Sequence, residues 1–498
     1  MIASAVFWFA RPIAALFSAQ RDFLCRRNAW YAITVAAFLC PTFPLFCFAA
    51  APIIIWAARR DSNPSALYFM LLYVVPEYSW RVPMVGISSL VDLDFPMLLS
   101  LCLMVPVALR LLKSEPQPAR RRLRLPDYAL LAYLALSSVY FVLPEVAHHV
   151  LMTWTVTDCI RRACEAFITF YIPYFVISRS HNNRQELQDT LATLCLACAT
   201  MAAIATFEGA RHWLLYGQMR IKWDPAFNPY LERGGSLRAM ASASHALVLG
   251  AVLAVAFGVW LGLMPRVQSA LWRAAVIVLD WLGLLAAYSR GPWLGGLLIY
   301  CVYVVVSGRK LSRLLKVAVT IGVIGVILLA SPLGDRIERV VPFLGGTVDA
   351  RTISYRVRLM SRAWDVIQES PMLGDQYAYA KLEDLRAAGI IDLVNGFVNI
   401  LLDNGFIGLS LFLSFVLLGL RKGWKLSSPG AHAGSELAAI AAALVACLVG
   451  VMQMMWSGGL LLAPTVLLVA LIFAAAHICS QQHATESALA SSVPRSAS

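Results

Sequence analysis

Two arginines stand where chemistry on an anion is the natural reading. Arg238 falls in Gly235-Ser-Leu-Arg-Ala-Met-Ala-Ser-Ala-Ser-His245, and Arg290 in Tyr288-Ser-Arg-Gly-Pro-Trp293. Both lie at the ends of apolar runs, on the side that the placement of the basic loops makes non-cytoplasmic, where arginine is disfavoured. A guanidinium there either snorkels to lipid headgroups or holds an anion. Gly291 and Pro292 fix a helix start behind Arg290, so backbone N–H groups would add to the guanidinium. Guanidinium meets phosphate oxygens in pairs, which an ammonium does not. The chemistry suggested is stabilisation of a departing phosphate. It is electrostatic, because arginine keeps its proton.

Other groups could join them. Arg351, Arg356, Arg358 and Arg362 precede Trp364, and 353–368 reads as an amphipathic helix lying over the membrane, with Arg358 and Arg362 on one face. It either faces headgroups or contacts substrate. His245 and Trp293 close the two arginine motifs and are further substrate-contact candidates. Asn395 and Asn399 lie one turn apart, ahead of Asp403-Asn404-Gly405-Phe-Ile-Gly408; such groups bond neighbouring helices or line a site. Asp392 is a candidate N-cap or base, and Glu208, ending a span, a base or an arginine partner. Glu165 stands near Arg161 and Arg162. Asp92-Leu-Asp94 has the form of a metal-holding pair, yet Asp94 before Phe95-Pro96 also suits a helix cap. Cys195-x-x-Cys198 lies on a predicted span, where cysteine is an ordinary small apolar residue. His148 and His149 lack ligand spacing. Neither a P-loop nor a Gly-x-Gly-x-x-Gly fingerprint is present, so energy must arrive with the substrate or with a gradient.

These residues need a membrane scaffold to position them. The chain has 498 residues, 60% hydrophobic and 14% charged, with a mean hydropathy of +0.70. That composition predicts an all-α, polytopic membrane protein of about 12 to 14 spans. The net charge of +13 belongs to basic loops that set topology and touch anionic lipid, which excludes nucleic acid as a partner. The boundaries read as an interfacial N-terminal segment over 1–28, spans over 29–208, a periplasmic segment over 209–243 and spans bearing the arginine motifs over 244–331. A large periplasmic loop over 332–395, spans over 396–479 and a disordered tail over 480–498 follow. Pro41 and Pro44 divide the run 29–58 into a pair of short helices, because proline lacks the N–H a helix interior needs.

In order and spacing, Arg238 to Gly250, Tyr288 to Gly295 and Tyr355 to Gly408 resemble the O-antigen ligase/Wzy-type polymerase superfamily of bacterial envelope glycosyltransferases. The last piece has an arginine and a tryptophan, then Pro371-Met-Leu-Gly374, then Asn404-Gly-Phe-Ile-Gly408. The resemblance implies a cofactor-free, metal-independent, inverting glycosyl transfer at the periplasmic face of the inner membrane. The implied donor is a glycan on undecaprenyl pyrophosphate, and the implied acceptor a glycan or lipid A–core hydroxyl. Besides the bilayer, a flippase and a chain-length regulator are candidate partners. The family's two pyrophosphate arginines map to Arg238 and Arg290. Ligases of the family carry a histidine where the large loop enters the next span; Asp392-Leu-Val-Asn395 stands there instead, which favours a polymerase. A lipid-linked oligosaccharide transporter is the reading from another class. Charge at the boundaries rather than at mid-membrane fits surface chemistry better.

Overall fold

The computed structural model describes residues 1–84, 87–113, 122–139, 156–224, 232–233, 236–243, 245–308, 312, 350–375, 377–385, 391, 393, 395–428 and 436–492. Among them, seven helices are long and apolar enough to cross a bilayer: Phe43–Arg60, Phe95–Lys113, Arg184–Arg211, Ala246–Arg266, Gly396–Ser427, Glu436–Trp456 and Leu462–Gln482. Ile2–Ala14, Leu125–Val139 and Arg290–Val306 are shorter apolar helices. The protein is an all-α polytopic membrane protein, as its composition requires. The run 29–58 is divided as its prolines predict, into helices Gln20–Leu39 and Phe43–Arg60. Pro44 stands in the first turn of the second, where a missing N–H costs nothing.

Helix Ala246–Leu263 is the centre of the bundle. It packs on Arg184–Arg211, Ala270–Ala286, Arg290–Val306 and Glu436–Trp456, and nearly all its side chains are buried. Small residues let these helices approach closely: a Cβ on Gly258 would lie 2.4 Å from Cys447 Sγ, and one on Gly283 2.6 Å from the Ala202 Cα.

The two ends of the bundle are built differently. At one end Arg26 is buried and holds two carboxylates at once. Its Nε and Nη2 donate to Asp61 at 2.6 and 2.8 Å, and its Nη1 and Nη2 donate to Asp189 at 2.6 and 2.9 Å. Asn63 Nδ2 donates to the same Asp189 at 2.9 Å. Nearby elements tie in through buried Arg179 and Asp127, 2.7 Å apart, and through Gln188, which donates to Glu436 at 2.7 Å. At the other end, the starts of helices 246–263, 290–306 and 396–427 meet the turn 457–461: Gly291 lies against Ser457, Gly458 against Leu247, and Gly396 against Gly459 and Leu460.

Two segments differ from the expectation. The 77–94 stretch, inside the spans expected over 29–208, contains an antiparallel hairpin of Ser79–Met84 with Ile87–Asp94, Arg81 facing Asp92. The last helix continues to Ser492, where a disordered tail was expected. Its alanine, serine and glutamine residues carry ordinary helix propensity, and a packed helix before them removes the nucleation cost. Of the spans expected over 244–331, residues 313–331 lie outside the described residues.

Candidate functional site

The two arginine motifs are joined directly. The Ala239 N–H donates to the Ala286 carbonyl at 3.0 Å, bringing the stretch after Arg238 onto the end of helix Ala270–Ala286. Arg238 is only 4% exposed, and its Nη2 donates to Ser289 Oγ at 2.8 Å. Ser289 is the N-cap of helix Arg290–Val306, so Arg290 is the next residue and the first of that helix. Sequence positions 238 and 290 therefore meet across one serine side chain. Trp293 helps to hold the turn, since its Nε1 donates to the Leu284 carbonyl at 2.8 Å.

Backbone strain sits in both motifs. Ala241 and Tyr288 adopt left-handed φ values of 47° and 45°, at a cost of about 1–2 kcal/mol each. Glu208 offsets the first. Its side chain is fully buried; Oε2 accepts from the N–H groups of Met240 and Ala241 at 3.0 and 2.8 Å, and Oε1 from that of Leu215 at 2.9 Å. A carboxylate engaged by three backbone donors shapes the loop that presents Arg238.

Other residues singled out in the sequence have structural partners. His245 caps helix 246–263 by accepting from the Leu247 N–H at 3.1 Å. Asn395 caps helix 396–427, accepting from Phe397 and Val398 at 3.0 and 3.3 Å. Asp94 caps the helix that begins at Phe95, accepting from Met97 at 2.7 Å. The Asp92 N–H donates to Glu165 at 2.6 Å, and Arg81 lies 4.0 Å from the Asp92 carboxylate. Among the described residues no group of three metal-ligating side chains comes together. Cys195 and Cys198 are buried and free. Helix Ala350–Glu369 buries Leu359, Ala363, Val366 and Ile367 against Leu393, Leu401 and Leu402, and exposes Arg356, Arg358 and Arg362 beside Trp364. The side chain of Arg351, and Asp392 entirely, lie outside the described residues.

Residues 274–413 match the Wzy_C family model, described as O-antigen ligase. The match supports the O-antigen ligase/Wzy superfamily and points to a glycosyltransferase-like enzyme with glycan substrates. No curated protein matches the chain. The matched segment contains Arg290 and its turn; Arg238 and Glu208 precede it and are brought in by the fold.

The match also contains a feature whose geometry was not legible in the sequence. Helix 396–427 breaks at Gly405, with φ 61° and ψ −163°. The turn 371–374 fills the break: Phe406 and Ile407 donate to the carbonyls of Pro371 and Met372 at 2.8 and 3.1 Å, while Asp375 donates to that of Leu402 at 2.8 Å. The Pro-x-x-Gly and Asn-Gly-Phe-Ile-Gly motifs are therefore each other's docking partners. Both glycines are required, because a Cβ on Gly405 would lie 2.3 Å from the Met372 carbonyl carbon, and one on Gly374 2.6 Å from the Asn404 nitrogen.

Proposed function

We propose that the protein transfers a glycan from undecaprenyl pyrophosphate to a sugar hydroxyl at the periplasmic face of the bacterial inner membrane, with inversion and without a metal. Arg238 and Arg290 bind the pyrophosphate, and their charge stabilises the leaving group as the glycosidic bond lengthens. The observation that carries this reading is the Arg238–Ser289 hydrogen bond, which sets one guanidinium beside the helix start that bears the other. That start adds backbone donors and the positive end of a helix dipole. Glu208 acts as a positioning residue, and the exposed Arg356, Arg358 and Arg362 gather anionic lipid or substrate headgroups. The Asp392-Leu-Val-Asn395 segment, which stands in place of the family histidine, favours polymerisation of O-antigen or exopolysaccharide repeat units. Transfer to lipid A–core is the second reading, favoured by the description of the matching family as O-antigen ligase.

The test is Arg290→Ala and Arg238→Ala in purified protein supplied with an undecaprenyl-pyrophosphate oligosaccharide, with and without lipid A–core. Each should abolish transfer while the protein still inserts, and Arg→Lys should restore little, since paired contacts are lost. Near-normal transfer by Arg290→Ala would refute the assignment. Product on the lipid-linked donor alone identifies a polymerase; product only with lipid A–core identifies a ligase.

A further inference from the structure

The break at Gly405 does more than join two motifs. It sets Asp403 and Asn404 on the wall of a cavity of about 360 Å³, also lined by Asp92, Asp94, Glu165 and Tyr133. Asn404 Oδ1 accepts from Ser137 Oγ at 3.0 Å. Asp403 Oδ1 is buried with no hydrogen-bond partner among the described residues, and so is Asn399 Oδ1, one turn earlier on the same face. Burying a polar oxygen without a partner is unfavourable, and such groups concentrate where a ligand completes the bonding. The volume falls in the range of about 300–1,000 Å³ usual for small-ligand sites.

The lining chooses the ligand. Four carboxylates face one arginine, Arg162, so a phosphate is repelled. Carboxylate oxygens are acceptors that suit hydroxyl donors. Tyr133 and Phe170 supply aromatic surface for the C–H face of a sugar ring. A second cavity of about 170 Å³ shares Asp94, Thr169 and Phe170 with the first and reaches Ser242 and Ala243, in the Arg238 motif. The carboxylate-lined space thus adjoins a cavity that reaches the Arg238 motif.

We propose that this cavity is a glycan subsite, distinct from the arginine pair, in which Asp403 and Asn404 bind the hydroxyls of an uncharged sugar unit of the chain being transferred or extended. The identity of the ligand as a sugar rests on the proposed glycosyl transfer. The test uses the full-length protein in cells making their own glycan, so the sugar need not be known. p-Benzoylphenylalanine replaces Tyr133 in the cavity or, in a separate protein, His245 in the Arg238 motif. Carbohydrate crosslinked to the protein after irradiation is then measured per molecule of membrane-inserted protein. The expected result is a carbohydrate adduct from position 133 that falls about tenfold with Asp403→Asn, the loss of one charge-assisted hydrogen bond. Glu165→Gln, on a different helix, should lower it in the same direction. An adduct from position 245 but none from 133, or one from 133 undiminished by either substitution, would overturn the subsite and leave the proposed transfer intact. No carbohydrate adduct from either position would overturn both.

Discussion

Glu208 offers the sharpest test of how the Arg238 loop is held. Its carboxylate accepts three backbone N–H groups, and Glu208→Ala would leave all three without that acceptor in a buried setting. At about 1–3 kcal/mol for each orphaned donor, the loss is on the order of 3–9 kcal/mol. The strain at Ala241, about 1–2 kcal/mol, would then lose what offsets it. Glu208→Gln keeps an oxygen for Met240 and Ala241 but turns an amide N–H toward the Leu215 N–H, a loss of about 1–3 kcal/mol. Thermal unfolding in detergent, read beside the rate of glycan transfer and its pH profile, separates a clamp from a base. For a clamp, the alanine variant loses both fold and activity. The glutamine variant melts a few degrees lower, keeps substantial turnover and keeps the wild-type pH profile. A glutamine variant that melts like wild type, lacks turnover and loses one limb of the pH profile would refute the positioning role and make Glu208 a proton acceptor.

Gly405→Ala and Gly374→Ala should each cost more than about 3 kcal/mol, because a Cβ meets backbone atoms at 2.3–2.6 Å where φ is already positive. Gly308→Ala is the control: its φ is +64° but no atom lies within 4 Å, so only the conformational cost of about 1–2 kcal/mol remains. Equal melting temperatures for the Gly405 and Gly308 variants would contradict the docking of the two motifs. Asp94 supplies a pH test. Burial pushes its carboxyl up to about 6, against the Met97 hydrogen bond and with help from the charges of Glu77 and Glu165. The folded state therefore holds this proton where the unfolded chain has released it, so this residue's contribution to stability falls as pH rises from about 4 to 6. Asp94→Asn should remove that part of the slope while keeping the cap; a melting-temperature difference between wild type and variant that stays constant over that range would refute it.

Much of the scaffold was legible because the membrane imposes it. Apolar length and basic loops located the helix pair within 29–58, although its first helix starts earlier, at Gln20; they also located the turn before Arg290, and Asp94 before Phe95-Pro96 announced a cap. What escaped were bonds between residues distant in sequence. Nothing near Glu208 indicates that its partners are at 215, 240 and 241. The hairpin at 79–94 was hidden because two short strands carry little periodic signal beside strong helical runs. The motif at 371–374 was visible, but only the left-handed Gly405 explains its pairing with Asn-Gly-Phe-Ile-Gly: one fills the backbone gap left by the other.

The Arg26 cluster bears on how much of the chain forms one folding unit. The family match begins at residue 274, which invites treating what precedes it as accessory. Yet deleting the first helix pair would strand Asp189 as a buried anion without its arginine, a loss of about 3–5 kcal/mol. Asp189 stands on the helix whose far end carries Glu208. Trimming toward the matched segment would thus loosen the far support of the loop that presents Arg238, and the smallest active fragment must begin upstream of Arg26.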